Sequence, residues 1–587
     1  MNIDVSPSGR NISTIRSFNG CWTCRLRRKK CDERRPVCET CASLHITCHF
    51  GQEKPEWMDG GARQEQTAAR FKQEVKDNAH RRREGRGDMP GDSIGTTGTT
   101  ADVAPSNGTN TEPDSRSSTM QRTSGGNSHC PLSRKDVQGG IRLGQSDTIL
   151  LMFYLENVLP FLFPFYRPSI VRGGRAWILE MMINSPVVCQ ATLCLSPYFF
   201  SLAQGTANDD VLWERVLTRT RDAFVMLSQA LQIINSSGIA GHLHGAVRIM
   251  ASIVQLQRFE IAVLSLGNCE AHHNAALALF EQLLESVGPA ELTEPCASFD
   301  AVLDRLGAAS PSEEFLHIPS AEQAAFLFSS TLLVFDDIVA STILLERPRL
   351  YEYHKGLLGN TNGTEPRIDL EGILGCQNWV LLHIGEISAL DAWKQQCKRL
   401  GSLDVMELVR QATVIKCSLE AQLTQLETEP VTIATDCESV LDILTADDSS
   451  RPGATKNQTS LVTRVWAHAS FLYLFVVVSG WQPANSEVRH HVSRIIELLS
   501  SHISQPSLLR TVTWPFSVAG CLAEPMQEAH FRAMTERLKP PSVFGTVHKA
   551  FEMMENVWRR RNAEDDATRD LATCFRSKCH SSNCWFF

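Results

Sequence analysis

Six cysteines near the amino terminus are the residues whose types and spacing best suit chemistry. They are Cys21, Cys24, Cys31, Cys38, Cys41 and Cys48, in the pattern C-x2-C-x6-C-x6-C-x2-C-x6-C. Each half places two thiolates about one helical turn apart and brings back a third after a loop. Zinc takes four ligands, so three thiolates cannot complete a site, whereas six can serve two ions if two sulfurs are shared. The spacing therefore predicts a binuclear cluster of two zinc ions, which would form most of the core of so short a module.

Positive charge is concentrated between the cysteines. Residues 16–50 contain eight cations and three acids, and five of the six residues from 25 to 30 are basic. These five candidate DNA-binding residues are Arg25, Arg27, Arg28, Lys29 and Lys30. They follow the first cysteine pair, where a rigid cluster can present them to phosphates and guanine edges. The segment therefore predicts a compact reader of double-stranded DNA, although such a basic run is also typical of a solvated surface or a nuclear import signal.

Other cysteine-rich modules fit less well. A RING domain or a pair of zinc ribbons requires different spacing and usually a histidine ligand. A disulfide knot requires an oxidising compartment, and the first twenty residues contain no apolar run that would serve as a secretory signal. We therefore expect a reducing compartment. The overall balance of 57 basic and 65 acidic residues in 587 says little about partners.

Composition divides the chain into five segments. We predict a zinc cluster domain, a linker helix, a disordered linker, a large all-α regulatory domain and a tail, over residues 16–50, 54–83, 84–147, 148–563 and 564–587. The linker helix rests on Ala68, Phe71 and Val75, whose 3 and 4 spacing also allows a short coiled coil and hence a homodimer.

The predicted disordered linker and the predicted all-α domain differ in how much apolar surface they can bury. Gly, Ser, Thr, Asn and Pro supply 26 of the 40 residues in 91–130, which cannot bury enough apolar surface to be ordered. From 148 to 563, apolar residues recur at spacings of 3 and 4, and alternating strands bounded by hairpin turns are absent. This pattern predicts an all-helical domain.

The cysteine segment resembles the fungal zinc binuclear cluster DNA-binding domain, whose spacing all six cysteines match. The resemblance implies that Cys21 and Cys38 bridge the two ions, with Cys24 and Cys31 completing one site and Cys41 and Cys48 the other. In that family the first helix enters the major groove over a CGG-type triplet. By alignment, Arg27 and Arg28 are then the base-reading candidates, and Arg25, Lys29 and Lys30 contact mostly phosphates.

The carboxy-terminal part is similar to the helical regulatory domain that accompanies this cluster in fungal transcription factors. The similar pieces are apolar and aromatic, at Tyr154–Tyr166, Gly174–Leu179, Ala321–Phe326, Cys376–Trp393 and Trp466–Gly480. The opening of the linker helix, Lys54–Gly61, is likewise similar to the family. The end of the chain, 564–587, departs from the family pattern and indicates a diverged or mis-spliced tail.

Three apolar stretches need testing as membrane spans, and we predict that none crosses a membrane. Val465–Trp481 is only marginally long enough to span a membrane, and we predict that it forms a buried helix. Met181–Asn208 is interrupted by Pro186 and Pro197, and Ile149–Tyr166 carries Glu156 and two prolines, which favours a bent core element.

No other residues form a convincing catalytic site. The adjacent pairs His272–His273 and His490–His491 are expected to place one ring inside and one outside their helices. There is no P-loop, and the G-x-S-x-G match at 91–95 falls in the linker. The sequence therefore predicts no enzyme. Asp436–Asp448 mixes acids with apolar residues and is typical either of an activation segment or of a solvated helix.

The sequence predicts a nuclear, zinc-dependent regulator of RNA polymerase II transcription that binds CGG-type sites. By resemblance, it would control a secondary-metabolite gene cluster, and regulation of nutrient use or drug tolerance is the alternative. A second alternative is a weakly DNA-binding interaction protein that acts through its helical domain. That domain would receive the transcription machinery or co-regulators.

Overall fold

The computed structural model divides the chain into two compact units, Met1–Thr123 and Ser124–Phe587. The residues that it describes are 20–27, 29, 31–34, 37–44, 46–50, 55, 57–59, 61–84, 143–168, 173–205, 210–263, 269–287, 296–307, 318–359, 365–428, 456–501, 506–541, 543–561 and 569–576. Every regular element within these residues is helical. The predicted fold class, a small cysteine-rich module followed by a large all-α domain, is therefore confirmed.

The described residues of the first unit form three helices, α1 (Trp22–Leu26), α2 (Glu39–Ala42) and α3 (Ala62–Glu84). The linker helix predicted over 54–83 thus begins eight residues later than expected. Asp59 explains this start, because its Oδ1 accepts hydrogen bonds from the N–H groups of Gly61 (2.8 Å) and Gln64 (3.3 Å). The linker was predicted over 84–147. Among the described residues, α3 ends at Glu84 and the following described helix begins at Gln145, and residues 85–142 lie outside the described residues.

The second unit consists of packed helices in all the parts that the structure describes. Their bounds are α4 Gln145–Phe153, α5 Leu159–Leu162, α6 Ala176–Asn184, α7 Pro186–Ala203, α8 Asp210–Ser237, α9 Leu243–Val263, α10 Cys269–Glu285, α11 Ala297–Gly307, α12 Ala321–Leu344, α13 Tyr351–Leu358, α14 Glu371–Leu374, α15 Asn378–Leu400, α16 Val405–Glu427, α17 Lys456–Ser479, α18 Ser486–Ser501, α19 Thr513–Cys521, α20 Glu528–Glu536, α21 Gly545–Arg559 and α22 Leu571–Arg576. A π-helical turn, Tyr154–Val158, joins α4 to α5, and 3-10 turns cover Ile239–Gly241 and Pro506–Val512.

Helix α12 is the centre of this unit. It contacts α6, α9, α10, α11, α15 and α22. A capping box starts it, in which the Ser320 hydroxyl accepts the Gln323 N–H (3.1 Å) and the Gln323 side chain accepts the Ser320 N–H (2.9 Å). Almost every residue of α12 is buried, which explains why its sequence is apolar all round rather than on one face.

Within the part of the chain that the structure describes, three helices are long and apolar enough to cross a membrane, and most of each apolar window is buried by protein. The apolar windows of α7, α12 and α17 are 72%, 89% and 89% buried inside the unit. The prediction that Pro197 interrupts the second stretch is wrong, since α7 continues through it and is capped at its start by Ser185. Pro186 occupies the first turn, where a missing N–H costs no helical hydrogen bond.

The helical domain extends past the boundary predicted at 563. Helix α22 contacts α12, α19 and α21, and it buries Leu571, Cys574 and Phe575 in the main core. Those three residues lie at the i, i+3, i+4 spacing of one helix face. Residues 577–587, the rest of the segment predicted to be a diverged tail, lie outside the described residues.

The packing of α22 makes a stability prediction. Leu571 is 2% exposed, whereas Leu217 on α8 is 59% exposed, so the same truncation to alanine can be compared at both positions. We expect Leu571→Ala to lower the free energy of unfolding by about 2 to 5 kcal/mol and Leu217→Ala to change it little. Urea unfolding monitored by circular dichroism would measure both. Equal effects of the two variants would contradict a structural role for α22.

Candidate metal centre and nucleic-acid interface

The structure brings all six predicted cysteine ligands together. Five of them are buried, with exposures from 0 to 3%, and Cys48 is partly buried. Their sulfurs form two groups of four, and within each group all Sγ atoms lie within 4.8 Å of one another. One group is Cys21, Cys24, Cys31 and Cys38, and the other is Cys21, Cys38, Cys41 and Cys48. The two groups therefore share Cys21 and Cys38.

The local fold follows the repeat in the sequence. Cys21 and Cys38 are the N-cap residues of α1 and α2, and their sulfurs accept the N–H groups of Cys24 (3.3 Å) and Cys41 (3.4 Å). The third cysteine of each half closes back onto the first. The Cys21 N–H donates to the sulfur of Cys31, and the Cys38 N–H donates to the sulfur of Cys48, both at 3.4 Å. Two short helices thus present equivalent sulfurs to one centre.

The distances between sulfurs suit a metal better than a disulfide. The Cys21 and Cys38 sulfurs are 3.7 Å apart, and the Cys24 and Cys38 sulfurs are 3.6 Å apart. A disulfide bond is only about 2.0 Å long, so these cysteines are free thiols. A tetrahedron of zinc–sulfur bonds of about 2.3 Å has edges of about 3.8 Å between sulfurs. The residues present therefore fit a tetrahedral thiolate-bound ion.

The electrostatics of the cluster also favour a cation. Burial raises the pKa of Cys24 to about 12 and raises the pKa values of Cys21, Cys41 and Cys48 above their ordinary range. Burial acts in the same direction on Cys38, but hydrogen bonds from the Cys41 N–H and from neighbouring thiols outweigh it and lower the pKa of Cys38 to about 7. Without positive charge at the centre, most of these sulfurs would hold protons rather than act as ligands.

A second layer of contacts braces the cluster. Thr23 is fully buried, and its hydroxyl donates to the Thr47 carbonyl (2.8 Å) and accepts the His49 N–H (3.1 Å). The Trp22 N–H donates to the His49 carbonyl at 2.8 Å. These bonds tie the chain after the last cysteine to α1. The sequence pattern did not identify Thr23. In sequence, a threonine between two cysteines looks the same whether its hydroxyl forms buried hydrogen bonds or is exposed to solvent.

Helix α3 packs on the same module through an aromatic cluster. Phe71 is 1% exposed, and its ring lies 6.1 Å from His49 and 6.5 Å from Trp57. The His49 and Trp57 rings lie 5.5 Å apart, edge to face, and Val75 also packs against the module. The apolar face of α3, from which the sequence predicted a possible coiled coil, is therefore covered by residues of the same chain.

Three of the predicted DNA-binding cations, Arg25, Arg27 and Lys29, are described, and they lie in the last turn of α1 or just after it. The Arg25 guanidinium lies 4.7 Å from the centre of the Trp22 ring, and both Arg25 and Lys29 are exposed. Arg27 is partly buried, and its Nη1 has no acceptor within the residues described. Arg34 lies near Asp32 (3.8 Å) and Glu39 (3.4 Å). The other predicted DNA-binding residues, Arg28 and Lys30, lie outside the described residues.

The histidine pairs of the helical domain do not form a comparable site. Both His272 and His273 are buried, with exposures of 8% and 3%, so the expectation of one inner and one outer ring is wrong for this pair. Both rings are buried because α10 contacts α9, α11 and α12 and is therefore covered on more than one side. The His272 ring stacks on the Phe224 ring, with centroids 5.2 Å apart. Within the described residues, the only groups with metal-ligand spacing are the two cysteine groups. The acidic segment Asp436–Asp448 lies outside the described residues.

Comparison with known proteins covers both units. The fungal Zn(2)-Cys(6) binuclear cluster domain matches residues 19–57, and the fungal specific transcription factor domain matches residues 149–586. Transcription factor dibT of Pestalotiopsis microspora is 34% identical over 94% of this chain and 97% of its own length. Pestheic acid cluster transcriptional regulator 3 of Pestalotiopsis fici is 27% identical over 94% and 96%. The ustiloxin B cluster transcription factor ustR of Aspergillus flavus is 25% identical over 93% and 94%.

No solved structure matches the chain. The family and the relatives are transcription factors rather than enzymes, and they extend over both the cysteine module and the helical domain. A cluster domain of this family binds zinc and DNA, in agreement with the sulfur geometry above. The chain therefore belongs to the fungal specific transcription factors that carry an amino-terminal Zn(2)-Cys(6) cluster domain, and it is not an enzyme.

Proposed function

We propose that this regulator acts in the nucleus on RNA polymerase II genes and recognises CGG-type sites through its cysteine module. The observation that carries the proposal is the pair of overlapping sulfur groups that share Cys21 and Cys38. Both shared residues cap helices, so the cluster fixes the position of α1 and of the cations at its end. Fixed cations can be aimed at particular base edges, whereas mobile ones supply only non-specific attraction.

We infer two zinc ions per chain. Cys21 and Cys38 would serve both ions, Cys24 and Cys31 would complete one site, and Cys41 and Cys48 would complete the other. Bound zinc supplies the positive charge that keeps these buried sulfurs ionised and joins the two halves of the module. The backbone N–H groups of α1 and α2 that donate to the Cys21 and Cys38 sulfurs favour the same ionised state.

Arg27 and Arg28 are our base-reading candidates, and Arg25, Lys29 and Lys30 are our phosphate-contacting candidates. An arginine fork matches the O6 and N7 acceptors of guanine, which suits a G-containing triplet. The stacking of Arg25 on Trp22 limits its reach and favours a fixed contact with the DNA backbone. Arg34 has acidic neighbours of its own, so it is a suitable comparison residue.

The genes under control are inferred from the relatives. Two of them are described as regulators of the pestheic acid and ustiloxin B clusters. Their similarity extends along nearly the whole chain, so we propose control of a secondary-metabolite gene cluster, with the helical domain receiving co-regulators or the transcription machinery. Regulation of nutrient use or drug tolerance is the alternative. A weakly binding interaction protein would differ by showing no preference for the triplet.

We further infer that the chain reads a single triplet as a monomer. A coiled coil through α3 would need Phe71 at its seam, but Phe71 packs on His49 and Trp57 of its own module. Releasing that face would expose a large aromatic side chain that is now 1% exposed. The described outer surface of α3 carries Arg63, Glu65, Lys72 and Lys76, which suits solvent better than a second apolar helix.

The shared ligands make a prediction about metal content. We expect two zinc ions per purified wild-type chain and fewer than one in Cys38→Ser, because one lost sulfur removes a ligand from both sites. Cys417 is an exposed cysteine of α16, so Cys417→Ser is the matched control and should retain two ions. Elemental analysis by mass spectrometry would measure the ratio. A wild-type value of one ion, or a normal value in Cys38→Ser, would contradict the shared arrangement.

The cations make a prediction about recognition. Arg27→Ala should reduce the preference for a CGG probe over a scrambled probe by about 1 to 3 kcal/mol. Lys29→Ala should weaken binding to both probes and lower the slope of log affinity against log salt by about one. Arg34→Ala should change neither quantity much. Fluorescence anisotropy at several salt concentrations would test this, and equal affinity of the wild type for both probes would refute sequence-specific reading.

The packing of α3 makes a prediction about assembly. The full-length wild type should sediment as a monomer and protect one triplet from nuclease. Phe71→Ala should remain monomeric but bind the CGG probe more weakly, because α1 loses the support of the aromatic cluster. Gln66→Ala, an exposed change on the same helix, should behave as wild type. A wild-type dimer that Phe71→Ala converts to monomers would instead identify α3 as a dimer seam.

A further inference from the structure

The helical domain contains a cavity of about 460 Å³. It lies between α6, the first half of α12 and the 365–373 segment. A cavity of this size, lined mainly by apolar and aromatic groups with few polar ones, is typical of a small-molecule site. Phe, Trp and Leu side chains fill the described core of the domain. A cavity of this volume beside the central helix α12 is therefore a candidate binding site.

Aromatic rings form one wall of the cavity. The Tyr166 and Trp177 rings lie 4.8 and 5.6 Å from the ring of Phe328, and all three side chains are only partly buried. Ile318 and Leu327 add aliphatic groups to the lining. Such a lining favours an apolar ring compound, which can meet these rings edge to face or in offset stacks.

Most polar groups in the lining are already engaged. The Arg367 guanidinium donates to both carboxylate oxygens of Asp300 and to the Gly356 carbonyl. Asp369 accepts the Gly372 N–H at 2.9 Å, and the Thr331 hydroxyl donates within α12. These groups fix the shape of the wall and offer little to a charged ligand.

Tyr166 is the exception. Its hydroxyl oxygen accepts the indole N–H of Trp177 at 2.8 Å, which orients the ring and leaves the hydroxyl hydrogen without an acceptor among the described residues. Burial raises the pKa of this phenol, so the hydrogen stays in place at neutral pH. The cavity thus combines an aromatic wall with a phenolic hydrogen-bond donor, and Arg167 and Glu180 also belong to its lining.

We propose that this cavity is a binding site for a small apolar aromatic molecule that presents one hydrogen-bond acceptor, such as a ring ketone, to the Tyr166 hydroxyl. The rings of Trp177 and Phe328 supply the apolar contact, and the Tyr166 hydrogen bond selects the acceptor. The site does not depend on the DNA reading proposed above, because its lining lies wholly in the helical domain. It can therefore be tested with no DNA present.

Equilibrium dialysis of the full-length chain with 9-fluorenone, and with fluorene as the ligand that lacks the acceptor, tests the proposal. The wild type should bind both ligands and prefer fluorenone by about fivefold, the ratio expected for one neutral hydrogen bond. Tyr166→Phe should lower the affinity for fluorenone to that for fluorene and leave fluorene binding unchanged. Ala324→Trp, which places an indole in the cavity, should weaken both ligands at least tenfold.

Tyr154→Phe is the matched control, because the Tyr154 hydroxyl bonds to Gln255 (3.1 Å) away from the cavity. It should bind both ligands as the wild type does. Circular dichroism would confirm that each variant is folded, and the conservative Tyr166→Phe carries the test if Ala324→Trp is not. Absence of fluorenone binding by the wild type, an equal preference for both ligands, or equal effects of Tyr154→Phe and Tyr166→Phe would overturn the proposal.

Discussion

Six sulfurs held in one small volume set the main constraint on the amino-terminal module. Burial alone would keep most of them protonated, and protonated thiols have no strong attraction for one another. Divalent ions reverse this balance, because each ion gains four thiolate bonds and neutralises charge that the protein interior could not otherwise hold. The short helices α1 and α2 have five and four residues and could not persist in isolation. Their position, and that of the cations after α1, follows from the cluster.

The sequence was informative where the interactions are local. Ligand number and the repeated Cys-x2-Cys-x6-Cys spacing were enough to predict that six sulfurs form two four-sulfur groups with two shared members, whereas the identity of the shared pair came from the resemblance. The same reasoning predicted α3 but not what covers it, since periodicity identifies an apolar face without naming its partner. The boundary at 563 was placed too early for a related reason. A six-residue helix such as α22 is too short for its period to be recognised after a polar loop.

The helical domain shows more clearly what the sequence could not give. Its helices were predictable from spacing, but its specific contacts join residues far apart in the chain. Arg258 donates to both oxygens of the buried Asp336, 78 residues away, and Arg510 donates to the Phe161 carbonyl, 349 residues away. Trp466 stacks on Trp514, with ring centres 5.4 Å apart, and these two residues lie on different helices, α17 and α19. Nothing in the local pattern pairs such residues, so the buried polar network and the cavity near Tyr166 became visible only in the folded chain.

The basic residues between Cys24 and Cys31 bear on both the stability and the function of the module. Six thiolates and the two divalent ions that we propose would leave a cluster with excess negative charge, and five of the six residues from 25 to 30 are basic. On the proposal above, their positive charge would stabilise the ionised sulfurs at short range, and the same charges would attract DNA phosphates at longer range. Neutralising them would therefore weaken the metal site as well as DNA binding, most of all for a cation held close to the sulfurs. This coupling explains why zinc content has to accompany every measurement of DNA affinity before a change is assigned to a lost DNA contact.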